Sequence, residues 1–122
     1  MDSGMFLPLQ LAAVEALKNT GLWHTRLNEI YTRRREIVFD LLDSMKCRYE
    51  KQQTGMFVWA NIPERFDNGA ELSDYILNEA RVFLTPGFIF GSMGNGFLRV
   101  SLCADESQLL EGKTRINKLF KN

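Results

Sequence analysis

The sequence predicts an α+β fold: a two-layer domain with a mainly antiparallel sheet of three to four strands and helices packed on one face. Two observations carry this expectation. Apolar residues recur at three- and four-residue spacing as far as Met45, and the period then switches to short alternating runs rich in Phe, Val, Trp and Leu. The elements fall in the order helix, helix, strand, strand, helix, strand, strand, helix. At 122 residues with 45% apolar content, the chain reads as a single domain, 1–122, long enough to bury a core without disulfides or metals.

Residues 3–18 read as the first helix, with Leu7, Leu11, Val14 and Leu17 on one stripe and Pro8 in the first turn, where its missing N–H costs nothing. Thr20-Gly21 supplies the break. A longer helix from Trp23 to Met45 carries Trp23, Leu27, Ile30, Tyr31, Ile37, Val38, Leu41, Leu42 and Met45 on one face. Position 34 of that stripe is Arg, whose stem is expected to pack while its head reaches the edge. Cys47–Glu50 and Met56–Ile62 are strand candidates joined by a hairpin loop, Gln52-Gln53-Thr54-Gly55, and the second strand is ended by Pro63. A helix from Ala70 to Arg81 starts with Asn68 and Glu71 at capping-box spacing. Val82–Thr85 and Phe97–Cys103 are the remaining strands. The last helix begins after Asp105, with Gln108 three residues on, and turns Leu109, Leu110, Ile116, Leu119 and Phe120 inward. Gly112 weakens it by about 1 kcal/mol relative to Ala.

Composition narrows the function. Fifteen basic and fifteen acidic residues give zero formal charge, against a dedicated nucleic-acid binder. Arg33-Arg34-Arg35 does not change this, because successive helical residues point about 100° apart and make no single patch. Apolar runs are too short for a membrane span, and no signal sequence opens the chain. Two cysteines, Cys47 and Cys103, imply no disulfide framework and suit a reducing cytoplasm, with Cys103 expected as a packed thiol. One histidine, His24, with two distant cysteines lacks metal-ligand spacing. Ser101 and Cys103 have no neighbouring base in sequence, and Glu71, Asp74 and Glu79 read as the wet face of a helix.

The densest signal is Pro86-Gly87-Phe88-Ile89-Phe90-Gly91-Ser92-Met93-Gly94-Asn95-Gly96-Phe97-Leu98-Arg99, four glycines within ten residues followed by an apolar strand bearing one arginine. A dinucleotide fingerprint needs G-x-G-x-x-G between strand and helix; here the glycines run in the reverse order into a strand. A P-loop needs Gly-Lys-Ser/Thr, which is absent. The glycines read as a tight connection supplying positive φ angles. Alternation puts Phe97, Arg99 and Ser101 on one face and Leu98, Val100 and Leu102 on the other. An arginine there must be paired or face solvent, and its planar fork matches a carboxylate.

This stretch resembles the C-terminal domain of class I/II aminotransferases, the pyridoxal-phosphate enzymes of fold type I. Asp2–Phe6 with Gln10 and Ala12-Ala13, Tyr31-x-x-Arg34-Arg35, Gly55–Trp59 and the Leu72–Ala80 helix fit as well, so the resemblance covers nearly the whole chain, most specifically at 55–60 and 84–104. It implies that Arg99 holds the α-carboxylate of an α-amino acid, the partner 2-oxo acid being the other substrate. It further implies a domain that closes over the site, in a homodimeric enzyme whose lysine-linked cofactor, pyridoxal phosphate, is bound by segments preceding this one. Lys18, Lys46, Lys51, Lys113, Lys118 and Lys121 lack that lysine's context, so this chain alone is expected to bind no cofactor and not to transaminate. The chain opens almost directly into helix, which suits a fragment whose missing large domain covers it; self-association through residues 3–18 is the expected alternative cover. A free-standing amino-acid-binding or interaction module without catalysis remains the competing reading, since fold alone does not decide function.

Overall fold

The computed structural model describes residues 7–18 and 21–121. They divide into two compact units, one ending at Ile30 and one beginning at Tyr31. The first contains helix α1, Leu7–Leu17, and the start of α2, Gly21–Ser44. Gly21, expected as the break, is the first residue of α2, and Thr20 and the Asp2–Phe6 segment lie outside the described residues. Leu11, Val14 and Leu17 of α1 are exposed.

The second unit holds the rest of α2, strands β1 (Arg48–Tyr49) and β2 (Phe57–Asn61), helix α3 (Gly69–Ala80), strands β3 (Thr85–Pro86) and β4 (Phe97–Ser101), and helix α4 (Glu106–Phe120). The strands form one antiparallel sheet in the order β1-β2-β4-β3. Period-two alternation sorts it into two faces. Val58, Ala60, Leu98 and Val100 are buried with Val38, Leu41, Leu42 and Met45 of α2 and just beyond, Leu72 and Ile76 of α3, and Leu109 and Ile116 of α4. Phe57, Trp59, Arg99 and Ser101 take the opposite face, away from the core that α3 and α4 cover.

Both helix starts read from the sequence are made. Asn68 Oδ1 accepts from the Glu71 N–H while Glu71 Oε2 accepts from the Asp67 N–H; Asp105 Oδ1 accepts from the Gln108 N–H. Asp105 is thereby held below the ordinary carboxylate range, chiefly by that backbone N–H and then by Ser107.

Three local expectations are corrected. The third strand shrinks from Val82–Thr85 to Thr85–Pro86, because α3 ends on Arg81 in a left-handed conformation (φ 58°) and the Leu84 carbonyl accepts from the buried Ser73 hydroxyl rather than from a ladder partner. Leu110 is exposed, so α4 turns Leu109 and Ile116 inward without it. Cys103, expected as a packed thiol, is exposed, whereas Cys47 is buried in the core, where loss of solvation pushes its thiol up to about 12.

Candidate functional site

The face of the sheet turned away from this core is built around Arg99. Antiparallel register places Trp59 of β2 on one side of it and Thr85 of β3 on the other. The Arg99 guanidinium carbon lies 4.0 Å from the Phe57 ring centre and 4.2 Å from that of Phe90. Phe57 comes from β2, on one side of β4, and Phe90 from the turn that follows β3 on the other, so the guanidinium sits between two rings. Its Nε is buried and has no hydrogen-bond partner among the described residues.

The contrast with two other half-buried arginines is informative. Arg34 and Arg35 also bury an unpartnered Nε, but each spends a terminal nitrogen on a backbone carbonyl, Leu102 at 2.9 Å and Gly55 at 2.8 Å. Arg33 instead pairs with Glu106 at 2.8 Å. The arginine run therefore points three ways, as helical geometry requires, and ties α2 to the outer ends of β2 and β4. No strand carries an acidic residue, so nothing in the sheet neutralises Arg99.

The glycine-rich turn delivers Phe90. It folds as two short 3-10 turns, Gly87–Phe90 and Ser92–Gly94, joined by Gly91. Only Gly91 among its glycines has a positive φ, 126°. The expectation that these glycines serve positive φ angles therefore holds at one position only. Gly87 and Gly94 serve close approach: a Cβ on either would overlap the other's carbonyl oxygen. Gly69 of α3 does the same beneath the Phe97 carbonyl, and its N–H donates to the Asn95 carbonyl at 2.7 Å. These contacts leave little room for the turn to move.

Trp59 is held from the opposite edge. The Gln53 side-chain amide accepts from the Trp59 N–H at 2.8 Å and donates to its carbonyl at 3.0 Å, replacing the strand partner that β1 is too short to provide. The indole meets Phe90 edge-on, centroids 5.5 Å apart, and Phe97 at 6.4 Å. Neither Phe57, Phe90 nor Gln53 is marked as part of a site by sequence pattern. For Phe57 the signal was available, two residues before Trp59 on one strand face. Phe90 and Gln53 reach the site only through the folding of a loop.

This arrangement can bind an anion by its shape: a half-buried cation against two aromatic rings, with its terminal nitrogens open. Cofactor binding is another matter. Lys18 and Lys113 pair with Glu15 and Asp40, and no lysine stands between Lys51 and Lys113, the segment that builds the face. The segment that builds this face therefore offers no lysine for a covalently linked cofactor.

Residues 5–116 match the family model described as aminotransferase class I and II. The chain belongs to that family. Among relatives, it is 35% identical over 119 residues to an LL-diaminopimelate aminotransferase of Maridesulfovibrio salexigens, covering 98% of this chain and 30% of the relative. It is 38% identical over 117 residues to transaminase BacF of Bacillus subtilis, covering 95% of this chain and 29% of the relative. A substrate-bound BacF structure superposes with a TM-score of 0.80 over 95% of this chain and 30% of that one. An aromatic aminotransferase from Pyrococcus horikoshii superposes at 0.78 with 30% identity, over 92% and 30%. The chain thus spans about a third or less of the aminotransferases it matches, and no helix among its described residues is long and apolar enough to cross a membrane.

Proposed function

We propose that this chain, 1–122, is the C-terminal small domain of a pyridoxal-phosphate-dependent aminotransferase, and that Arg99 holds the α-carboxylate of its amino-acid and 2-oxo-acid substrates. The observation that carries the reading is the unpaired, half-buried guanidinium between Phe57 and Phe90 on a face with no acidic strand residue. A carboxylate meeting its terminal nitrogens forms two parallel charge-assisted hydrogen bonds, which fix the substrate in orientation and register. Arg99 itself moves no proton and forms no bond; its contribution is placement. The cofactor, when bound, supplies the electron sink for amino-group transfer, and its lysine belongs to the remainder of the protein. Closure of this face over bound substrate excludes water from the reacting centre. The enzyme works in the cytoplasm as a homodimer under the same reading.

Arg99→Lys in the protein as the cell makes it tests the assignment. The variant keeps the charge and loses the fork, and kcat/KM for an amino acid is expected to fall by about 100-fold, mostly through KM. Unchanged kcat/KM would overturn the carboxylate role. The size of the native polypeptide tests the domain assignment: an antibody against this chain should detect a band well above 14.1 kDa. A band at that mass would favour a free-standing amino-acid-binding module.

A further inference from the structure

We propose that Phe57 and Phe90 are positioning residues that present the Arg99 guanidinium end-on and make the site selective for planar carboxylates over tetrahedral oxyanions. The proposal rests on the reading of Arg99 as the carboxylate holder and assigns the selectivity of that site to two side chains that do not bond the substrate.

A guanidinium ion has two faces and one rim. The guanidinium carbon stands over both rings, 4.0 and 4.2 Å from their centres, a separation so short that we infer stacking on its faces with the rim left for hydrogen bonding. On that rim Nε is shut in and unpartnered, so the two terminal nitrogens are the usable end. Both oxygens of a carboxylate lie in the plane of such a fork. A phosphonate or sulfonate carries a third oxygen outside that plane, directed toward a ring face. The π face of a phenyl ring is negative, so it repels that oxygen while it attracts the cation.

Contacts within the fold place both rings without help from a ligand. The backbone of Phe57 is held by the β2–β4 ladder, in register opposite Ser101. Phe90 stands on a turn pinned by the Gly87–Gly94 contact and is braced by the edge of Trp59, whose backbone is clamped by Gln53. Preorganisation of this kind removes the ordering cost from binding.

The test uses the protein as the cell makes it, with Phe57→Leu, Phe90→Leu, the tyrosine counterparts of both, and Arg99→Lys. The probes are the α-amino acid turned over fastest and, as competitive inhibitor, the α-aminophosphonate of the same side chain. Each leucine variant is expected to raise KM by about tenfold with kcat within about twofold, the scale of losing a partly desolvated cation–π contact. The preference for amino acid over aminophosphonate should fall by a similar factor, and the tyrosine variants should restore both. In the unmodified protein, the Arg99 Nε–H proton resonance should lie upfield of the other arginines, shifted by the two ring currents. That measurement decides the matter if a leucine variant does not fold. Leucine variants with unchanged KM and unchanged preference, beside a damaged Arg99→Lys, would overturn the clamp and leave the carboxylate reading standing. An unaffected Arg99→Lys would overturn both. An Arg99 Nε–H signal in the ordinary position would overturn the clamp by itself.

Discussion

Gly94→Ala is the substitution that most sharply tests how the glycine-rich turn works. The added Cβ would overlap the Gly87 carbonyl oxygen and lie 2.6 Å from its carbon and 3.2 Å from its Cα. Both neighbours are backbone, so no side chain can swing away; the two segments must part by about 1 Å to reach ordinary van der Waals distance. Overpacking of this kind costs about 3 kcal/mol, or roughly 15 °C in Tm for a domain of this size. Two neighbouring glycines supply the controls. Gly91 stands at φ 126° and ψ 164°, a region open essentially to glycine alone, and Gly91→Ala should cost about 2 kcal/mol through strain although nothing lies within 4 Å of its added carbon. Gly96 has neither obstacle, and Gly96→Ala should stay within about 1 kcal/mol of the parent, on the stabilising side. Thermal unfolding by circular dichroism ranks the three, and the Arg99 Nε–H resonance reports whether Phe90 has moved with the turn. Equal tolerance of Gly94→Ala and Gly96→Ala would refute the close-approach argument, since the two sites differ in what surrounds them.

Other outcomes follow from the same structure. Cys103 should react with a thiol reagent in the native state and Cys47 only on unfolding; two rapidly labelled thiols per chain would contradict the burial of Cys47. The Cys47 thiol is raised from 9.0 to about 12 by burial. Above pH 9 the unfolded chain therefore binds fewer protons than the folded one, so stability is intact below that value and is lost as pH rises toward 12. Tyr49, pushed up to about 12 by burial and then by its hydrogen bond to Asp43, acts in the same direction, and a urea midpoint unchanged up to about pH 11 would refute this. Gln53→Leu removes the partner of both Trp59 backbone groups and should cost about 1–2 kcal/mol. In a Trp23→Phe background it should also shift Trp59 emission to the red, and unchanged emission and stability would show that water replaces the amide without loss. Finally, the exposed Leu11, Val14 and Leu17 of α1 should drive self-association of the isolated 122-residue chain at high concentration, suppressed by Leu11→Glu with Leu17→Glu. A clean monomer in light scattering would refute it.

What the sequence determined by itself is whatever one segment settles alone. The Asn68 and Asp105 caps need only a side chain and an N–H three residues on, and both are made. The faces of β2 and β4 follow from a period of two, so Arg99 stands opposite Val58, Val100 and Leu98 for any fold that buries the apolar set. That the Arg34 head ends on the Leu102 carbonyl, by contrast, depends on a segment 68 residues away. The tertiary structure decided everything that depends on distant segments meeting. Cys47 rather than Cys103 is buried because the chain leaves α2 beneath the sheet at one and passes out of β4 at the other, which hydrophobicity alone does not distinguish. β3 is short because Ser73, eleven residues earlier, takes its neighbour's carbonyl. Gln53 becomes a strand surrogate only because β1 stops at Tyr49. Phe90 covers Arg99 only because Gly87 and Gly94 bring two stretches of backbone into contact. Periodicity and caps are local and survive in the unfolded chain's pattern, whereas a cation between two rings exists only where the packing of three separate segments puts it.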